Sequence, residues 1–186
     1  MTYTSDILVE EHDVIERMLK VVRTAAERLE EGDGLPAEAF LHMVDFIQNF
    51  ADRCHHAKEE NILFKLMEKR GFSLSNGPIG VMLQEHEEGR RFTRNMKTAA
   101  LSLQEGDHLA KREIINNAHG YVDLLSQHIF KENNILYPMA NHAFTPEDQQ
   151  YLAKEFERVE TEAMGEGVHE KYHHLVLELE KRLMMK

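Results

Sequence analysis

The chain has 186 residues and a formal charge of −11 at pH 7, long enough for one domain with a real core and with no need of a second. Its acidity argues against nucleic acid and against an anionic membrane surface as partners, leaving small molecules and metals open. One cysteine makes no internal disulfide, and the opening Met1-Thr2-Tyr3-Thr4-Ser5-Asp6 has neither a basic nor an apolar run, so a reduced, cytoplasmic protein without an export signal is expected.

Ten glycines, four prolines and no tryptophan, with Leu, Glu, Lys, Met and Ala recurring at three- and four-residue spacing, predict an all-α chain. Thr4, Ser5 and Asp6 offer caps for a first helix that runs to Gly32-Asp33-Gly34, and Pro36 opens a second that can run to Gly71. Asn76-Gly77-Pro78 starts a third, ended by Gly106-Asp107, and a fourth runs from about Leu109 to the Pro138 region. Four such helices with short loops predict an up-down-up-down four-helix bundle over residues 1–142. Thr145-Pro146-Glu147-Asp148 reads as a cap that opens a fifth helix, and Gly165-Glu166-Gly167 breaks it before an amphipathic stretch, Val168–Lys186. Residues 143–186 are thus expected to be a C-terminal helical extension, and its helices a surface through which a homo-oligomer would form.

The chain is written twice. His55-His56-Ala57-Lys58-Glu59-Glu60-Asn61-Ile62-Leu63-Phe64 returns as His128-Ile129-Phe130-Lys131-Glu132-Asn133-Asn134-Ile135-Leu136-Tyr137, and Glu11-His12 returns as Glu85-His86. The upstream echo is offset by 74 (86−12) and the downstream one by 73 (128−55), so a one-residue indel separates the copies. With the wheel set by each helix's apolar stripe, His12, His55, Glu59, His86, His128 and Glu132 fall on buried faces. His56 and Glu60 fall about 100° round, beside Asn49, Asp52 and Arg53, as surface residues do. Counting from the turns puts all six buried residues at one level, about 30 Å along helices that rise 1.5 Å per residue.

Two carboxylates and four imidazoles buried in one layer are costly unless something compensates them. A pair of cations would, and mixed imidazole and carboxylate ligation suits iron, with manganese or zinc as substitutes. The spacing predicts His12 and His55 on one metal, His86 and His128 on the other, and Glu59 and Glu132 bridging. One bridging oxygen would then leave each metal about five-coordinate, with room for a small molecule.

These residues resemble the hemerythrin-like (HHE cation-binding) family. The order His12, His55 with Glu59, His86, His128 with Glu132 carries the resemblance over roughly residues 5–142, and the flanks His-His-x-Lys-Glu-Glu-x-x-Leu-Phe and Glu-His-Glu-x-Gly-Arg-Arg-Phe look like bacterial members. The resemblance implies two non-haem iron ions (Fe2+/Fe3+) with an oxo or hydroxo bridge that bind dioxygen, and in some relatives nitric oxide or peroxide. Oxygen-carrying members have a further histidine one turn after the third-helix ligand, where this chain has Arg90. Arginine there either opens a coordination position or pairs with Glu16, which holds the equivalent place after His12. With Glu16 and Arg90, the residues His56, Glu60 and Tyr121 are candidates for supporting the ligands from outside; Tyr121 lies two turns before His128 on its face and either packs or lines the pocket.

Three functions follow: a ligand-binding di-iron protein; a di-iron enzyme (peroxidase, nitric oxide reductase or iron-donating repair protein); or a helical interaction module with structural metal. Family members implicated in iron-sulfur repair often carry an additional N-terminal cysteine-containing domain, which weighs against that version. Elsewhere, Cys54 reads as a buried thiol, the His169/His173 pair as part of a solvated helix rather than a surface metal site, and Met184-Met185 as a packing or frayed end rather than a copper site.

Overall fold

A computed structural model describes residues 3–165 and 167–184, the side chains of residues 163, 164 and 184 excepted. The Met184-Met185 end falls outside the described side chains. Six helices account for the regular structure among the described residues. Helix α1 is Ser5–Glu30. Helix α2 spans residues 37–69 and joins Ala37–Phe46, two wider π-helical stretches at Ile47–His56 and Glu59–Leu63, and Phe64–Lys69. Helix α3 is Gly77–Gln104. Helix α4 spans residues 110–143, with a π-helical turn at Glu132–Leu136 between Ala110–Lys131 and Tyr137–Ala143. Helix α5 joins Pro146–Val159 to a π-helical turn at Glu160–Met164, and α6 is Val168–Met184.

The π-helical stretches bear on the repeat. A turn that closes i→i+5 rather than i→i+4 holds an extra residue. The turns at Glu59–Leu63 and Glu132–Leu136 are copies of each other, 73 residues apart, whereas Ile47–His56 has no counterpart in α4. That stretch runs up to and through His55, the first echoed position with offset 73, and adds width to α2 without breaking the helix. A second consequence is that α4 does not stop near Pro138. Proline lacks the N–H that an interior turn uses, and the wider turn directly before it lets the helix continue to Ala143.

Two apolar clusters fill the interior. One collects Val14–Leu29 of α1, the first half of α2, Met96–Ala100, Ile114–Ile129 and the inner face of α6; the other collects Leu8, Ile62–Met67, Ile79, Met82, Leu136–Ala140 and Leu152 and Phe156 of α5. Each long helix therefore passes from one cluster to the other, and α1 to α4 do so in alternating directions. The layer between the clusters is where the repeated histidines and glutamates fall.

The C-terminal helices are seated on the rest. Leu152, Phe156, Tyr172, Val176, Leu179 and Leu183 are buried, Arg17 makes a two-pronged ion pair with Glu180 at 2.6–2.9 Å, and Arg70 reaches Asp148. The expected cap of α5 is a capping box: Asp148 N–H donates to Thr145 Oγ1 at 3.2 Å and the Asp148 carboxylate accepts from Thr145 N–H at 2.9 Å. Thr4, expected as a cap of α1, instead donates its hydroxyl to the Gln149 carbonyl at 3.0 Å, tying the start of α1 to α5.

Candidate metal centre

Helices α1 to α4 each send side chains into the polar layer. His12, His55, Glu59, His86, His128 and Glu132 are all at most 1% exposed. The imidazoles meet in pairs: His12 Nε2 is 2.9 Å from His55 Nε2, and His86 Nε2 is 3.0 Å from His128 Nε2. The two carboxylates lie between the pairs. Glu59 Oε2 is 3.7 Å from His55 Nε2 and 3.4 Å from His86 Nε2. Glu132 Oε2 is 3.3 Å from His12 Nε2, while its Oε1 is 3.0 Å from His128 Nε2 and 3.9 Å from His86 Nε2. Each glutamate thus faces imidazoles of both pairs.

Behind every imidazole stands an acceptor for Nδ1–H. His55 donates to Glu11 Oε2 at 2.9 Å, His128 to Glu85 Oε2 at 2.9 Å, His86 to Glu60 Oε1 at 2.7 Å and His12 to Asn133 Oδ1 at 2.8 Å. The supports repeat as the buried histidines do: Glu11 matches Glu85, and Glu60 matches Asn133. Lys58 caps Glu11 at 2.5 Å, and Lys131 caps Glu85. Carboxylates only accept, so at least His55, His86 and His128 carry their proton on Nδ1. In a neutral imidazole that leaves a bare lone pair on Nε2.

This arrangement fits a cation. Between His86 and His128, both of which hold their proton on Nδ1, two bare Nε2 atoms face one another at hydrogen-bond distance, which needs something positive between them. Glu59 Oε2 and both oxygens of Glu132 are buried without a hydrogen-bond partner, although unsatisfied buried acceptors are rare. Protons answer the same need when no metal is bound. Burial works against charge, yet the adjacent Glu132 carboxylate raises His12 above its ordinary value, and the same carboxylate, with Glu85, raises His128. Burial also opposes the ionised form of Glu132, but His128 and His12 hold its carboxyl well below the usual range. Two groups of ligand atoms gather within 4.8 Å, His12 with His55 and Glu132, and His56 with Glu59, His86 and His128.

A model of the hemerythrin HHE cation-binding domain matches residues 4–140. The chain belongs to that family. It is 25% identical over 176 residues to the uncharacterized proteins Rv1995 of Mycobacterium tuberculosis and Mb2018 of Mycobacterium bovis, a match that covers 95% of this chain and 68% of each relative. It is also 33% identical over 88 residues to the iron-sulfur cluster repair protein YtfE of Escherichia coli, covering 46% of this chain and 40% of that relative. No solved structure matches the chain significantly.

Around the centre, the expected surface placement of His56 and Glu60 is corrected, and of the two alternatives for Arg90 the pairing with Glu16 is not what forms. His56 is not a surface residue: it is 5% exposed, and its ring stacks on His86 with centroids 3.9 Å apart. Glu60 is only half-buried but holds His86. The wheel assumed 3.6 residues per turn, and the wider turns of α2 rotate both residues inward. Arg90 does not pair with Glu16, which is exposed; its guanidinium donates to Asp52 at 2.7 Å, Glu60 at 2.6 Å and Glu87 at 2.7 Å. Tyr121 is buried, with its hydroxyl unpartnered, and lines a cavity of about 160 Å³ shared with His56, Asp52, Gly89 and Arg90.

Sequence reasoning also missed Tyr137, whose buried hydroxyl donates to Glu59 Oε1 at 2.7 Å, and Glu160, which reaches Lys58 from α5 at 2.6 Å. Glu11, Glu85, Lys58 and Lys131 had a signal, since each is part of the echoed segments. Tyr137 had none: its counterpart, Phe64, has no hydroxyl.

Among the described residues no helix is long and apolar enough to cross a membrane.

Proposed function

We propose that this is a non-haem di-iron protein that binds a small diatomic or peroxide ligand, dioxygen or nitric oxide among them, at a carboxylate-bridged site. His12 and His55 would hold one iron, His86 and His128 the other, with Glu59 and Glu132 shared between them. The observation that carries this reading is the pair of Nε2–Nε2 approaches at 2.9 and 3.0 Å with three unpartnered carboxylate oxygens between them. Bound iron supplies reversible redox change and an open coordination position for a small molecule. The protein's own residues do the rest: the supports fix each imidazole's tautomer and aim, Tyr137 occupies one oxygen of Glu59 and leaves the other for the cation, and the two apolar clusters exclude bulk water. In this reading residues 1–142 form a four-helix bundle that carries the site, residues 143–186 extend it, and the protein works in the cytoplasm.

A second reading, an iron-donating repair protein, is favoured by the similarity to YtfE over 88 residues. Metal analysis of the protein purified from its host, followed by stopped-flow absorption of the reduced form, tests both. A persistent oxygenated or nitrosylated spectrum supports ligand binding. Iron that leaves for an acceptor apo-protein faster than for a chelator of equal affinity supports donation. Absence of iron, with zinc in its place, contradicts both.

A further inference from the structure

We propose that His56 is a fifth imidazole ligand, on the His86 and His128 side, so that the two metal positions are unequal. This rests on the metal-binding reading above and goes beyond its six residues. The halves of the chain match closely around the centre, and they part at this position. Offset by 73, His56 corresponds to Ile129 and its neighbour Asp52 to Leu125, both apolar core residues. One half has an aliphatic pair where the other buries an imidazole backed by a carboxylate.

The placement is that of a ligand. One ligand atom each from His56, Glu59, His86 and His128 gather within 4.8 Å, and all four residues are buried. The His56 ring lies 5.9 Å from that of His128, nearly perpendicular at 80°, and 3.9 Å from that of His86. On its outer side Nδ1 approaches Asp52 Oδ1 at 3.4 Å, and Asp52 is itself held by Arg90 at 2.7 Å. A carboxylate behind Nδ1 leaves Nε2 bare for metal, as it does for the other imidazoles. The same ring forms a wall of the Tyr121 cavity. None of the six residues of the centre lines that cavity beside it.

Packing alone is the competing account, and phenylalanine separates the two because it keeps the stack on His86 while removing both nitrogens. Cobalt(II) is titrated into metal-free full-length protein against a competing chelator, with the visible absorption followed, for wild type, His56→Phe, and His56→Gly with and without added imidazole. His42→Ala, at an exposed histidine, is the control. The proposal predicts that His56→Phe weakens one of the two bound cobalt ions by tenfold or more, changes its absorption and leaves the other unchanged. It also predicts that imidazole restores His56→Gly, which keeps the test valid if the phenylalanine variant folds poorly. Two cobalt ions bound by His56→Phe with wild-type affinity and spectrum would overturn the role of His56 while leaving the two-metal reading intact. A single cobalt ion in wild type would overturn the two-metal reading, and its weakening in His56→Phe would still support His56. No cobalt binding at all would sink both.

Discussion

Each imidazole of the centre is aimed by one acceptor, and the acceptors are not equally expendable. Glu11 holds His55 and also neutralises Lys58, which is fully buried, while Glu85 holds His128 and pairs with the part-exposed Lys131. Both Glu11→Gln and Glu85→Gln are expected to weaken metal binding by roughly 10- to 100-fold, the usual effect of losing an outer partner. Only Glu11→Gln should also lower the melting temperature of the metal-free protein substantially, because it leaves a buried ammonium with the half-exposed Glu160 alone. Equal losses of stability in the two variants would count against this asymmetry. Tyr137→Phe removes the donor to Glu59 and should lower metal affinity by about tenfold without changing stoichiometry, as a chelator competition would show. The six main residues were legible in the sequence because a period of 3.6 and a level count placed them. His56 was not, because its place depends on a turn type that periodicity does not reveal.

At the scale of helices, the wide turns are the point where sequence and shape part. Residue types gave the boundaries of α1 and α3 to within a residue or two, because glycine and proline punctuate them. They misled at Pro138, where the missing N–H is tolerated by the preceding turn rather than ending the helix. Deleting one residue from Ile47–His56, for example Gln48, should convert that stretch towards ordinary α-helix. It would then rotate the upstream half of α2 by about 100° relative to His55, burying polar residues in the first apolar cluster. Loss of cooperative melting is the expected outcome, whereas deletion of one residue from the loop at Gly34 should be tolerated. The capping box of α5 predicts that Thr145→Ala costs about 1 kcal/mol, and Phe156→Ala about 3–5 kcal/mol because that ring is buried under α2. Both are read by chemical denaturation. If Phe156→Ala has no effect, α5 is not seated on the core as described.

For the molecule as a whole, the centre ties stability to pH and, on the proposed function, to metal. Burial opposes the charge of Glu11, but the hydrogen bond and charge of His55 and the nearby Lys58 bring its carboxyl from 4.5 to about 2. A depressed carboxyl contributes stability that is present above 4.5 and lost as pH falls towards 2; Asp52, Glu60 and Glu85 are lowered too and act in the same sense. His55 and His56, lowered chiefly by burial, add a loss that begins below 6.5. His12, His86 and His128 are raised, so their contribution in the metal-free chain is full below 6.5 and is lost as pH rises through their folded values. Thermal melts of metal-free protein should therefore decline on both sides of neutrality. Metal should remove the alkaline decline, since it replaces the protons, and loading at pH 7 should release protons detectable in weakly buffered solution.

In the proposed centre both repeated half-sites hold metal and share both glutamates. Iron per chain, measured on wild type, Glu59→Ala and Glu132→Ala after anaerobic loading and desalting, tests it most directly. Two irons are expected in wild type and one or fewer in each variant. Full iron in both variants, or no more than one in wild type, would contradict it.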